Sequence, residues 1–242
     1  DNNALFAVQP DIANDGTLTY TPVADAAGSA TVTVQVQDDG GTPNGGNDTS
    51  VAQTFTITVD NVNDEPSITI AGDQAVDEDA GAQSVANFAS AFDPGAGEGT
   101  QTIADFIVSN DNAALFAAQP DVANDGTLTF TPADNAFGVA TVDVQVQDDG
   151  GTANGGDDTS QLQSFTITVN PVNDAPVVTV GDVAPLLEDA GAQSVPAFAG
   201  FDPGPGESQA NLGFQVVNSN NALFSAQPAI DATGNLTFTP AA

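Results

Sequence analysis

Residues 141–169 read TVDVQVQDDGGTANGGDDTSQLQSFTITV, and this stretch decides the fold class. Apolar side chains occupy every second position over 142–146 and again over 165–169. A period of two is expected for strands with one buried face, and Gly, Asn and Asp are typical of the turns between strands. The stretch therefore predicts two strands joined by a long glycine-rich loop. Shorter apolar runs predict further strands over 68–70, 84–91 and 106–108.

A closely similar stretch occurs 110 residues earlier, at 31–59. A second phrase has the same spacing, because residues 1–10 read DNNALFAVQP and residues 111–120 read DNAALFAAQP. It returns as NALFSAQP at 221–228. The chain is therefore a tandem array with a period of about 110 residues. Both of its ends are expected to fall inside repeats.

Asn-Asp-x-Pro segments are expected to mark the edges between repeats, because proline cannot extend a paired strand. On this basis residues 1–60 form the C-terminal half of one repeat and 61–170 a complete repeat with its leading linker. Residues 171–242 form the N-terminal part of a third repeat. About seven short strands per period, separated by Gly, Asn, Asp and Pro turns, predict an all-β chain of Greek-key β-sandwiches placed end to end.

The charge of the chain is extreme, since 33 Asp and Glu residues stand against no Lys, Arg or His. Side-chain salt bridges are therefore impossible, and clustered carboxylates need water, salt or bound cations to relieve their repulsion. Nucleic acid and anionic membrane surfaces are not expected as partners, because the chain has no cationic side chain to meet a phosphate.

Composition also bears on catalysis and on membranes. The lack of His, Lys and Cys removes imidazole, Schiff-base and thiolate chemistry, structural zinc and disulfides, so no enzyme activity is expected. The sequence contains no run of 18 apolar residues, so no membrane insertion is expected in this segment.

The carboxylates concentrate where strands end and at the predicted repeat edges. These groups are Asp38 and Asp39; Asp60, Asp64 and Glu65; Asp77, Glu78 and Asp79; and Asp93 and Glu98. Clustered carboxylate oxygens suit Ca²⁺, which accepts about six to eight oxygen ligands in flexible geometry. The competing interpretation is that each turn Asp caps nearby backbone N–H groups.

Two short segments resemble cadherin motifs. Residues 59–66, VDNVNDEP, resemble the D-x-N-D-N-x-P linker of cadherins, and residues 34–41, VQVQDDGG, resemble the A-x-D-x-G strand-end phrase of that family. Residues 186–195, LLEDAGAQSV, with the later phrase TGNLTFTP and the linker phrase VNDAP, are similar to cadherin-like tandem repeats of large bacterial surface and secreted proteins. The resemblance covers the whole chain and implies sandwiches of the cadherin or immunoglobulin type.

In cadherins Ca²⁺ lies at the domain junctions, between linker carboxylates and acids of the two flanking domains. The resemblance implies a first junction made of Asp60, Asn61 through its backbone, Asn63, Asp64, Asp93, and Asp148 or Asp149. It implies a second junction made of Glu78, Asn173, Asp174 and Asp202. One or two ions per junction are expected, because the first two linker positions change to Asn170 and Pro171 in the second linker.

These features predict a passive role, as a calcium-stiffened extender or filament segment of a bacterial cell-surface or matrix protein. Extracellular calcium modules bind at about 10⁻⁴ to 10⁻³ M, which favours an extracellular location. The alternative is an adhesive module that binds like repeats or chains, or binds polysaccharide. Exposed Phe side chains in one strip of the surface would support this alternative. The glycine-rich loops 39–48 and 149–158 are either plain hairpin loops or separate ion sites.

Overall fold

The structure is a computed structural model that describes all residues from 1 to 242. Its regular elements are 18 strands and five 3₁₀ turns of three residues each. The turns are Asn3–Leu5, Pro43–Gly45, Ala113–Leu115, Ala153–Gly155 and Asn221–Leu223. No helix in the structure has the length and apolarity needed to span a bilayer.

The strands fall into three groups along the chain. Residues 1–60 hold β1 (Phe6–Ile12), β2 (Leu18–Pro22), β3 (Gly28–Val34) and β4 (Gln53–Val59). Residues 61–170 hold β5 (Ser67–Ile70), β6 (Gln74–Asp77), β7 (Gln83–Val85), β8 (Ala89–Asp93), β9 (Ile103–Asn110), β10 (Phe116–Val122), β11 (Leu128–Pro132), β12 (Gly138–Asp148) and β13 (Gln163–Asn170). Residues 171–242 hold β14 (Val177–Val180), β15 (Gln193–Val195), β16 (Ala199–Asp202), β17 (Phe224–Ile230) and β18 (Leu236–Pro240). Every sheet lies within one of these three segments.

The middle repeat, residues 61–170, is a β-sandwich. One sheet has the strand order β6-β13-β12-β9, a second has the order β10-β11-β7, and β5 pairs with β8. Only β6 with β13 is a parallel pair. The chain passes from β9 to β10 and β11 in the other sheet and then back to β12 and β13, which is the crossover of a Greek key. The all-β fold predicted from the sequence is confirmed.

Alternating residues of the two long strands fill the core of this repeat. Val142, Val144 and Val146 on β12 are completely buried, and so is Ile167 on β13. A cluster of 16 buried residues forms around them, with the Phe88 ring 4.6 Å from that of Phe165. Burial of apolar surface contributes roughly 25 cal/mol per Å², so this core is the main source of stability for the repeat. The period-two pattern in the sequence therefore marks the buried face correctly.

Each flanking segment contains part of a sandwich of the same kind as the middle repeat. Strands β1–β4 correspond to β10–β13, and β14–β18 correspond to β5, β7, β8, β10 and β11. Residues 184–187 and 211–218 correspond to β6 and β9 but are not strands. In the middle repeat β6 pairs with β13 and β9 pairs with β12, and residues 171–242 contain no counterpart of either partner. A strand without a ladder partner leaves its N–H and C=O groups to solvent.

Two details of the predicted strands are wrong. The sequence predicts one strand over 84–91, but the structure has β7 and β8, separated at Asn87. The φ of Asn87 is 55°, a left-handed conformation that interrupts a strand. Strand β6 has no counterpart among the predicted strands, because its four residues gain strand geometry from pairing with β13, about 93 residues further along the chain.

Candidate metal centres at the repeat junctions

The first linker, residues 60–66, is held against the repeat that follows it by Glu98, which is only 4% exposed. Glu98 Oε1 accepts a hydrogen bond from Asn61 Nδ2 at 2.9 Å, and its Oε2 accepts one from the backbone N–H of Asp64 at 3.0 Å. Hydrogen bonds to a charged acceptor are among the stronger ones in proteins. Glu98 therefore fixes two points of the linker.

The second linker, residues 170–176, is hydrogen-bonded to a carboxylate from each of the two repeats that flank it. Glu78 of the middle repeat is 5% exposed, and its Oε1 accepts the backbone N–H of Val172 at 2.6 Å. Glu207 of the third repeat accepts the backbone N–H of Asp174 at 2.7 Å through Oε1. Two carboxylates from different repeats thus hold N–H groups only two residues apart, which draws their negative charges towards the same short segment.

A tight turn of the following repeat packs on each linker Asp. A Cβ built on Gly95 would lie 2.7 Å from the Cβ of Asp64, and one built on Gly204 would lie 2.8 Å from the Cβ of Asp174. Both glycines also have positive φ, at +113° and +128°. Glycine is needed at these two positions for the backbone conformation and for the close approach.

Three carboxylate oxygens at the second junction are buried and accept no hydrogen bond: Glu78 Oε2, Asp174 Oδ2 and Glu207 Oε2. A buried charged group without a partner is costly, and such groups in proteins are normally paired or bound to a metal ion. The chain has no Lys, Arg or His that could pair with them. Only water or a cation can satisfy these oxygens.

The electrostatics of the two linker aspartates are alike. Burial raises the pKa of Asp64, and the nearby charges of Asp25 and Glu98 raise it further. Burial likewise raises the pKa of Asp174, with added repulsion from Asp79, Glu207 and Glu78. Each linker Asp thus lies in a locally negative environment to which both flanking repeats contribute.

The structure brings part of the predicted ligand set together. Glu78 and Asp174 lie at the second junction as predicted, and Asp64 at the first. Asp60 lies beside Asp64 in a crevice of about 160 Å³ that Asp25 also lines. Asn61 meets Glu98 through its side chain, whereas the sequence predicts a role for its backbone.

Other predicted ligands have local partners. Asp93 accepts the N–H of Gly95, and Asp202 accepts that of Gly204, each within its own turn. Asp149 is bound by Thr102 through both its backbone N–H and its hydroxyl.

Two of the predicted ligands, Asn63 and Asn173, donate hydrogen bonds through their side-chain amide nitrogens. Asn63 donates to the buried carboxylate of Asp148, and Asn173 donates to the carbonyl of the next residue, Asp174. No group of three or more Asp or Glu side chains is arranged to hold a metal ion as it stands.

Four acids at the junctions were not among the predicted ligands: Asp25, Asp79, Glu98 and Glu207. A signal for two of them is present in the sequence, because DPGAGE at 93–98 recurs as DPGPGE at 202–207. The prediction chose the Asp that begins this phrase, Asp93 or Asp202, and not the Glu that ends it, Glu98 or Glu207. Asp79 directly follows Glu78, and Asp25 has Asn135 as its counterpart in the middle repeat.

The donor atoms at the second junction fit a hard divalent cation. The three unpartnered carboxylate oxygens are of the donor type that Ca²⁺ accepts in flexible geometry. Structural zinc sites and sites for soft metals are built mainly from Cys and His ligands, which the chain lacks. Because the carboxylates do not already converge, side-chain rearrangement would be needed to complete a coordination shell.

No protein-family model and no curated protein matches the chain. Among solved structures, the chain is similar to the extracellular cadherin domains 1–4 of Protocadherin Gamma B7, with a TM-score of 0.41 and 18% sequence identity. The match covers 100% of this chain and 57% of that one. The chain therefore spans a little over half the length of the cadherin structure it resembles.

Proposed function

We propose that this chain is a structural segment of a long extracellular protein of the bacterial cell surface or matrix, with junctions between repeats that Ca²⁺ stiffens. One observation supports the proposal above the others. Three buried carboxylate oxygens without partners belong to Glu78, Asp174 and Glu207, which come from two neighbouring repeats and the linker between them. In a chain without positive side chains, a bound cation is the group that can balance their charges.

The residues of the second junction act as a clamp on the linker. Glu78 holds the N–H of Val172 from the repeat before the linker, and Glu207 holds the N–H of Asp174 from the repeat after it. The clamp brings negative charges together, and their repulsion opposes the docked geometry. A divalent cation bound there supplies the missing positive charge and links oxygens of both repeats.

Direct packing between repeats supports a defined junction. A Cβ built on Gly97 would lie 2.7 Å from the carbonyl oxygen of Asp25 in the preceding repeat. At the second junction a Cβ on Gly206 would lie 3.3 Å from the carbonyl oxygen of Asn135 and 3.6 Å from the ring of Phe137. The same turn thus meets the preceding repeat at both junctions. Each contact involves a single turn, and two domains joined in this way are expected to move relative to each other. A bound cation would restrict that movement.

Calcium is the cation that we propose because of the ligands and the location. Sites built from carboxylate and carbonyl oxygens in extracellular modules bind Ca²⁺ at about 10⁻⁴ to 10⁻³ M. Such sites fill at the millimolar calcium found outside cells. The strongly acidic surface, with a net charge of −33, would keep long arrays apart in solution and raise the local concentration of cations.

Small-angle X-ray scattering in EDTA, in magnesium and in calcium tests this function. We expect calcium to narrow the distribution of interatomic distances, because fixed junctions sample fewer relative orientations of the repeats. Magnesium should act more weakly, since it demands strict octahedral geometry and gives up its waters reluctantly. Scattering curves that are identical in EDTA and in saturating calcium would contradict the proposed function.

A further inference from the structure

The side chain of Asn63 is inserted into the glycine-rich loop of the middle repeat, and its polar atoms are all used there. Its Nδ2 donates to the carboxylate of Asp148 at 3.0 and 3.3 Å and to the carbonyl oxygen of Asp157 at 2.7 Å. Its Oδ1 accepts from Gln101 Nε2 at 2.6 Å. The backbone carbonyl of Asn63 also accepts the N–H of Asp157 at 2.9 Å. Asn63 is 6% exposed and Asp148 is 2% exposed, so these bonds are shielded from water.

Two glycines of the loop make room for this side chain. A Cβ built on Gly150 would lie 1.7 Å from Asn63 Oδ1, and one built on Gly156 would lie 2.8 Å from Asn63 Cβ and 2.9 Å from its backbone nitrogen. Gly156 has a φ of −65°, a conformation open to any residue, and Gly150 also lies outside the left-handed region. Gly150 and Gly156 therefore leave the space that the inserted asparagine occupies. At Gly46, the counterpart of Gly156, a built Cβ would also lie 3.1 Å from the carbonyl oxygen of Gly41, so the loop backbone adds to the crowding there.

The corresponding loop of the first repeat has the same backbone conformation. Asn44 has φ 56° and Asn154 has φ 58°, and in each loop the Asp at the end of the strand caps the N–H of the glycine two residues on at 2.9 Å. A Cβ built on Gly40, the counterpart of Gly150, would lie 3.1 Å from Asp38 Oδ1. The loop conformation is therefore shared by the two repeats.

We propose that the glycine-rich loop is a docking socket for the linker asparagine, which fixes the linker to the repeat that follows it without a cation. We name Asp148, Gly150, Gly156 and Asp157, with Gln101, the linker socket. Because Glu98 of the same repeat also holds the Asn61 side chain, bending at the first junction is then confined to the residues before Asn61. The cations of the proposed function link the docked linker to the preceding repeat.

The socket selects asparagine by its chemistry. An amide offers two donor hydrogens to Asp148 and Asp157 and one acceptor to Gln101, which matches the three groups that face it. Aspartate would place a second carboxylate against the buried Asp148, and alanine would leave both Asp148 and Gln101 without this partner. An added Cβ at Gly150 would exclude the amide itself.

Hydrogen exchange of the whole chain in EDTA tests the socket. The reporter is the amide of Asp157, which donates to the Asn63 carbonyl, and the reference is the amide of Ala89, which donates to Gly126 in the opposite sheet. We expect the reporter to be protected in the unaltered chain without any metal. Asn63→Asp and Gly150→Ala should each speed its exchange by at least about tenfold, the factor expected when two or more hydrogen bonds are lost together.

The first repeat provides the matched control. Gly40→Ala introduces a methyl group at the equivalent glycine of the other loop, one repeat away from the reporter. It controls for the substitution itself and should leave exchange of the reporter unchanged. Gly156→Ala is a second variant in case Gly150→Ala loses protection at the reference amide, which would indicate global unfolding. An unprotected reporter in the unaltered chain, or equal exchange in the Gly150→Ala and Gly40→Ala variants, would overturn the proposal. Protection that appears only with calcium would also overturn it, while leaving the proposed function intact.

Discussion

Replacing Glu78 by glutamine should have opposite effects with and without calcium. The side chain is 5% exposed, its Oε1 accepts the N–H of Val172, and its Oε2 has no partner. Glutamine keeps the acceptor and nearly the same shape but removes the charge. In EDTA the variant should be more stable than the unaltered chain, because a buried carboxylate close to Asp174 is gone. In calcium it should be less stable, because a ligand is lost.

The size of the calcium effect can be worked out from mass action. At about 10 mM calcium, a site with a Kd of about 10⁻⁴ to 10⁻³ M stabilises the folded state by about 1.4–2.7 kcal/mol. For a domain of roughly 100 residues this raises the Tm by about 6–20 °C. Most of that increase should be missing in Glu78→Gln.

Differential scanning calorimetry in EDTA and in calcium measures the expected rise in Tm without calcium and the expected fall with calcium. Glu188→Gln is the matched control, because Glu188 is the same residue one repeat further on and is exposed. Its calcium-dependent Tm increase should equal that of the unaltered chain. The reasoning is refuted if Glu78→Gln and Glu188→Gln show the same increase, or if Glu78→Gln is the less stable variant in EDTA.

Three other perturbations test separate parts of the structure. Asp148→Asn should lower the free energy of unfolding by about 1.5–3 kcal/mol in urea, because its buried carboxylate accepts bonds from Asn63 and Gly150 that an amide cannot all replace; an unchanged midpoint would contradict this. Phe88→Ala should lower the free energy of unfolding by about 3–5 kcal/mol, since the ring is fully buried, whereas Val139→Ala, at a side chain that is 54% exposed, should change it by no more than about 0.5 kcal/mol. Equal losses would show that the core is misplaced. In EDTA, acidification from about pH 7 towards pH 4 should stiffen the junctions, because the pKa values of both linker aspartates are raised above 3.8. The docked state then gains stability as the pH falls through those raised values, and it keeps the full gain below 3.8. Scattering that does not change over this range would show that the aspartates do not oppose docking.

The middle repeat shows how much of the fold local pattern can predict. Residues 142–146 and 165–169 alternate because one face of each strand is buried, and that period is visible without any partner. Strand β6 is different, since its geometry depends on a parallel partner about 93 residues away.

At the junctions the sequence predicts the region of the candidate site but not the partner of each side chain. Recurring acids at the linkers point to the right region, and Glu78, Asp64 and Asp174 lie there. A pattern of residue types cannot show which neighbour a side chain turns to. Asn63 carries the oxygen of a metal ligand, but its amide nitrogen donates to Asp148.

Anomalous X-ray scattering from crystals grown in millimolar calcium tests the central claim most directly. We predict an anomalous peak at the second junction, within coordination distance of oxygens from Glu78, Asp174 and Glu207. Water alone among these oxygens, with the carboxylates turned towards solvent in saturating calcium, would contradict the account.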